Sequence, residues 1–124
     1  MAVTLTTAAR NAACNAIVDL VDAGAGAGTL EFVAADTTTE VATLTFSDPA
    51  FGDSAAGVAT ASAITSDTSA TGGTTTIAKL KDSNGTEVLR CTVGTSGADI
   101  NLSNNVIAAS ETVAVTALTV TVPA

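Results

Sequence analysis

The sequence predicts a mainly β protein: an antiparallel β-sandwich or jelly-roll-like body carrying one N-terminal α-helix. Three observations lead there. Val and Thr, whose branched side chains suit a pleated surface, are used heavily, while aromatics make up only 2 % of the chain. Short segments of alternating polarity recur between turn signals. Only the opening stretch spaces its apolar residues by three and four. The 124 residues are expected to form a single domain, 1–124, with a helix over about 6–23 and a sandwich over about 29–123. Small side chains bury little area each, so the core should be thin, and such a body gains stability by associating.

"LTTAARNAACNAIVDLVDAG" is the helix. Thr6 or Thr7 offers the N-cap. Ala9, Ala13, Ile17 and Leu20, joined by Ala16 and Val21, form the stripe expected to face the core. Arg10, Asn11, Asn15, Asp19 and Asp22 take the other side. Gly24 suits the left-handed position that ends helices. The glycines of "VDAGAGAGTLEF" invite comparison with a phosphate-binding turn. That fingerprint follows a strand and opens a helix. Here the helix comes first, and its C-terminal dipole repels anions. A helix stop and flexible connector is the expected role.

About seven strands follow. "TLEFVA" sets Leu30, Phe32 and Ala34 against Thr29, Glu31 and Val33. "EVATLTF" points Ala42, Leu44 and Phe46 one way, and Val41, Thr43 and Thr45 the other. "SDPAFGDSAAG" reads as a loop, "VATASAIT" as a weaker strand, and "SDTSATGG" as the most mobile loop. In "TTTIAKLKDSNGTEVLRCTVG", Asn84-Gly85 predicts a type I′ hairpin. A two-residue loop sets Ser83 opposite Thr86. Leu80 then pairs with Leu89, Ala78 with Cys91 and Thr76 with Val93 on one face, and Lys79 with Arg90 and Lys81 with Val88 on the other. Cys91 is thereby expected in the core. A short strand near Ile100 to Leu102 precedes a long last strand, "ETVAVTALTVTVP". Its alternation slips between Ala117 and Leu118, which predicts a bulge or a change of sheet.

The net charge is −8, from 12 acidic and four basic residues. Arg10, Lys79, Lys81 and Arg90 are too few and scattered for a phosphate backbone or an anionic membrane. The spread-out acidity reads as solubility. "MAVTLTTAAR" has neither the basic nor the apolar region of a secretion signal, so synthesis in a cytoplasm is expected. There, Cys14 and Cys91 are expected as two free, buried thiols.

No His and no Tyr occur, which removes the commonest general base and any Ser-His-Asp or Cys-His arrangement. The carboxylates lack the aromatic platforms of a sugar-cleaving cleft. "DSNGTE" matches part of a calcium loop, but its first ligand pair is missing and Glu87 comes too early. Asn84-Gly85-Thr86 and Asn101-Leu102-Ser103 fit the glycosylation pattern only incidentally. The sequence therefore predicts no enzyme, no cofactor, and no catalytic, cofactor-binding or metal-ligating residue.

"LTTAARNAACNAIVDLVDAGAGAGTLEF", "ATLTFSDPAFGDSAAGVATA" and "CTVGTSGADINLSNNVIAASETVAVTALTVTVP" together resemble a family of small structural proteins of tailed bacteriophages, the capsid decoration or cement proteins. The resemblance implies a β-sandwich or jelly-roll body. It implies binding to the major capsid protein on the outside of the head shell, as a dimer or trimer on the virion. On that reading the helix or the Asp48 to Gly57 loop touches the shell, and the last strand takes part in self-association. The rival expectation is a tail, fibre or receptor-binding β-sandwich module.

Overall fold

The computed structural model describes residues 3–123. The fold is mainly β, sandwich-like, with one helix at the start. Helix α1 spans Thr7–Asp19 and closes in a single 3-10 turn, Leu20–Asp22. Thr6 is its N-cap, its hydroxyl accepting the Ala9 N–H at 3.2 Å. Gly24 follows the turn at φ +95°, as expected of a stop residue.

The buried face of α1 differs from the expected one. Val21, in the 3-10 turn, is buried as expected, but on α1 Cys14 and Val18 are buried, whereas Ala9, Ala16 and Leu20 are exposed, Leu20 at 56 %. The helix is rotated so that most of its Ala stripe faces outward. The physical reason lies in its polar residues, which satisfy main-chain groups of the body. Burying an Ala methyl gains little; leaving a main-chain donor or acceptor unpaired costs about 1–3 kcal/mol.

Among the described residues ten strands follow: β1 Thr29–Val33, β2 Glu40–Phe46, β3 Val58–Thr60, β4 Ile64–Thr65, β5 Gly73–Thr74, β6 Ile77–Lys81, β7 Glu87–Gly94, β8 Ile100–Asn101, β9 Val106–Ile107 and β10 Thr119–Thr121. Six form the main sheet in the order β4-β2-β1-β6-β7-β8. It is antiparallel except for the parallel β7–β8 pair, so the sheet is mixed. The pairs β10–β3 and β5–β9 stand apart as small ladders. On the inner face Leu30, Phe32, Ala42, Leu44 and Phe46 are buried in the expected alternation. Val33 and Val41 are buried too. The segment between β4 and β6 crosses beside them: the Gly72 N–H donates to Val41 O at 3.1 Å and the Thr75 hydroxyl to Val33 O at 2.9 Å.

The hairpin keeps its expected register along the strands: Ala78 pairs with Cys91, Lys79 with Arg90 and Leu80 with Leu89. It departs at the turn. Lys81 pairs with Glu87 rather than Val88, leaving Val88 as a bulge. The loop has three residues, Ser83 to Gly85, since the Asp82 N–H donates to Thr86 O at 3.0 Å. Only Gly85 is left-handed, at φ +83°. The cause is Asp82, whose Oδ1 accepts the N–H groups of Asn84 and Thr86, each at 2.9 Å. That carboxylate stabilises a type I turn followed by a left-handed glycine over the type I′ turn. Cys91 is half-buried rather than core.

The long last strand is not continuous. Val113 makes an isolated bridge to Asp67, the chain bends, and only Thr119–Thr121 pairs, with β3. The expected slip at Ala117 and Leu118 thus precedes a change of ladder. The segment expected to be the most mobile loop is tied down. Ala70 is 3 % exposed, the Asp67 N–H donates to Val113 O at 3.0 Å, and Ser110 N–H to Ala70 O at 2.7 Å. Helix, main sheet, β3 and the Leu118 region share one apolar cluster. Each large side chain buried there contributes about 1.5–3 kcal/mol.

Candidate interaction surfaces

The three glycines of "VDAGAGAGTLEF" do three different things. Gly24 turns the chain with a positive φ. Gly26 stands in open space. Gly28 is where backbones touch: a Cβ there would lie 2.4 Å from Lys81 O and 2.6 Å from Val21 O. They stop the helix and admit β1 to the sheet, at the helix end whose dipole disfavours phosphate.

Most carboxylates point at the protein's own donors. Asp82 serves the hairpin turn, and Glu87 faces Arg90 at 2.7 Å and Lys79 at 3.7 Å. The "DSNGTE" carboxylates are thus engaged within the hairpin. Among the described residues, no three His, Cys, Asp or Glu side chains gather where one metal ion could sit. Both cysteines are free thiols. Cys14 is buried and donates to Val120 O at 3.3 Å. Burial, with a smaller contribution from the nearby Asp99 carboxylate, pushes the Cys91 thiol up to about 11, the opposite of an activated nucleophile.

Of the regions expected to make contacts, the helix and the Asp48 to Gly57 loop are brought together into one surface. Arg10 reaches Val122 O at 2.9 Å with Nε and Ala56 O at 2.8 Å with Nη2. Asn11 accepts the Gly57 N–H at 2.8 Å, and Asn15 accepts the Ser54 N–H at 2.9 Å. Asp22 accepts the Ala50 N–H at 2.8 Å. These side chains had been expected to face solvent. A signal was present in the sequence. Asn is a poor helix interior residue, and two of them four apart project from one face.

The clamp fixes what the helix shows to solvent. Ala9, Ala16 and Leu20 lie exposed on its far side, with Ala13 and Ile17 half-buried at the flanks. Three carboxylates of the helix and the loop make no hydrogen bond or ion pair among the described residues: Asp19 on the helix, Asp48 and Asp53 on the loop. All three are exposed.

Two grooves lie elsewhere. One, of about 380 Å³, is polar and runs along residues 99–104 and 111–117. The other, of about 350 Å³, lies between the inner face of β6–β7 and strand β10, against Leu80, Leu89, Cys91, Leu118 and Val120, with the Asp99 carboxylate also lining it. The last strand, expected to take part in self-association, forms one wall of the second. Among the described residues, no helix is long and apolar enough to cross a membrane.

Comparison with protein-family models, curated proteins and solved structures finds no match. The surfaces of the chain itself therefore carry the functional argument.

Proposed function

We propose that the chain is a decoration, or cement, protein of a tailed bacteriophage, which binds the major capsid protein on the outer surface of the head shell and stabilises it without catalysis. The observation that carries this reading is the clamped helix. Its polar side is spent on holding the Asp48 to Gly57 loop, so an apolar strip is held out rigidly on the side of the helix away from that loop. A rigid presented surface loses little entropy on docking, and repeated contact across a symmetric shell multiplies modest affinity. The free carboxylates Asp19, Asp48 and Asp53 on the helix and the loop suit a shell surface that offers cations. The sequence resemblance to decoration proteins supports the same reading.

Cosedimentation of the purified protein with shells stripped of it tests this, counting copies per particle. Saturation on the order of hundreds of copies is expected from shell symmetry. Removing the helix is a poor control because it contributes Cys14, Val18 and Val21 to the core. Leu20→Gln, which adds no negative charge at the helix C-terminus, is the suitable variant. It sits at an exposed position, so stability should change by no more than about 0.5 kcal/mol. Shell binding should fall at least about tenfold, the equivalent of 1.4 kcal/mol. Saturation at a few copies would point to a tail or fibre site and overturn the cement reading.

A further inference from the structure

We propose that the groove between β7 and β10 receives the extended segment Val3 to Thr6 of a second copy of this chain, which adds to β10 as a strand. The inference does not rest on the capsid reading.

The groove is a place where the second layer of the sandwich is one strand short. β10 has a single partner, β3. The Ala61 N–H donates to Leu118 O and the Val122 N–H to Gly57 O, each at 2.8 Å, which puts Leu118, Val120 and Val122 in the set bonded to the β3 side. In an antiparallel ladder the alternate residues turn their N–H and C=O groups to the opposite edge. Those residues are Thr119 and Thr121, and among the described residues no strand meets them there. The opposite wall shows the same gap. Leu80 and Ala78 are 0 % exposed, yet their direct partners Leu89 and Cys91 are only half-buried. One more strand beyond β10 would cover both.

The chain also carries a strand without a sheet. Residues Val3 to Thr6 precede the helix outside any helix or strand, with the apolar and hydroxyl alternation of a strand. Val3 is 81 % exposed and Leu5 37 %, while Thr4 and Thr6 alternate with them. Added along Thr119–Thr121, this segment would direct Val3 and Leu5 at Leu80, Leu89 and Cys91. Its Thr side chains would remain outside. The unpaired edge supplies main-chain hydrogen bonds and the groove supplies apolar contact, the two components of recognition by strand addition. An unpaired edge and an exposed apolar strand are each a liability in a single copy, and one contact removes both.

Cys91 is a built-in reporter. The full chain would be followed by sedimentation over a range of concentrations, with iodoacetamide alkylation of Cys91 read by mass spectrometry. Species larger than one copy are expected as concentration rises. Cys91 alkylation should slow in parallel, by at least about tenfold when association is near saturation. The double variant Val3→Asp/Leu5→Asp changes exposed positions only, and an unchanged melting temperature confirms that it folds. It should remain a single copy with Cys91 as reactive as in dilute wild type. A Val3→Cys variant should form copy-to-copy disulfides with Cys91 under mild oxidation, and Cys91→Ser should abolish them. The proposal is overturned by a chain that stays a single copy at millimolar concentration. It is equally overturned by association that the double variant retains or that leaves Cys91 reactive. Cys91 shielding that is independent of concentration but lost in the double variant would place the segment in the groove of its own chain, and that too would overturn it.

Discussion

Asp36 organises the connection between β1 and β2. Its Oδ1 accepts the N–H groups of Thr38 at 3.0 Å and Thr39 at 2.9 Å, and its Oδ2 accepts the Thr39 hydroxyl. Thr37 can then hold φ +65°, an uncommon conformation for a β-branched residue. These bonds, the Thr39 hydroxyl first, hold the Asp36 carboxyl at about 2, below its ordinary 3.8. A depressed carboxylate contributes stability above its unfolded value and loses that contribution as the pH falls through the folded one. The window is therefore pH 4 down to 2. Asp36→Asn should melt at a lower temperature than wild type at pH 6, and the gap should close across that window. Thermal unfolding at a series of pH values measures it; a gap unchanged at pH 2 would assign the effect to shape rather than charge. The clustered Thr residues after Asp36 were visible in the sequence, but the bonds that join them to its carboxylate depend on the path of the loop.

At the scale of elements, the same sequence pattern supports different jobs according to what packs beside it. Gly26 and Gly28 are indistinguishable in a run of alternating Ala and Gly, yet only Gly28 sits where the backbone of the hairpin and the 3-10 turn close in. Gly28→Ala should destabilise by about 1–3 kcal/mol, as overpacking against unyielding atoms does. Gly26→Ala should stay within about 0.5 kcal/mol of wild type. Urea unfolding of the two variants side by side decides this, and equal effects would remove the close-approach account. The hairpin was legible because its turn and its alternation are local signals that agree. Its last pair was not, because the Asp82 carboxylate chose the turn. The helix was legible as a helix, but its apolar stripe did not give its orientation, which only the paired Asn11 and Asn15 signalled. Ala, Leu and Ile mark an apolar stripe without saying whether that stripe meets the core or a partner. Arg10, Asn11 and Asn15 settled the question through partners some 40 to 110 residues away.

At the scale of the whole molecule, the acidity that reads as solubility in the sequence is largely structural. Nine of the twelve carboxylates hold donors of the protein: Asp22, Asp36, Asp67, Asp82, Asp99 and Glu111 accept main-chain N–H groups, Glu40 accepts Thr hydroxyls, and Glu31 and Glu87 pair with cations. Loops between short strands leave many N–H groups without a ladder partner, and Asp supplies a compact acceptor for them. The fold class was legible because alternation repeats along the chain; this second use of charge was not, since each bond joins a residue to a loop it meets only in three dimensions. The consequence is a net charge of −8 on a small body, with three close ion pairs among the described residues to offset it. Such self-repulsion opposes both folding and the approach of a second copy. Raising ionic strength from about 0.01 M to 0.15 M shortens the screening length from roughly 30 Å to 8 Å. The melting temperature should rise by about 4 °C, the shift per kcal/mol at which the ranges for domains smaller and larger than this one meet. Self-association at fixed concentration should strengthen over the same range. Scanning calorimetry and sedimentation in a sodium chloride series measure the two. A melting temperature that falls with salt would mean that the pairs made by Lys79, Lys81 and Arg90 outweigh the repulsion. The carboxylates would then stabilise the fold mainly through those cations rather than through the loop N–H groups they accept.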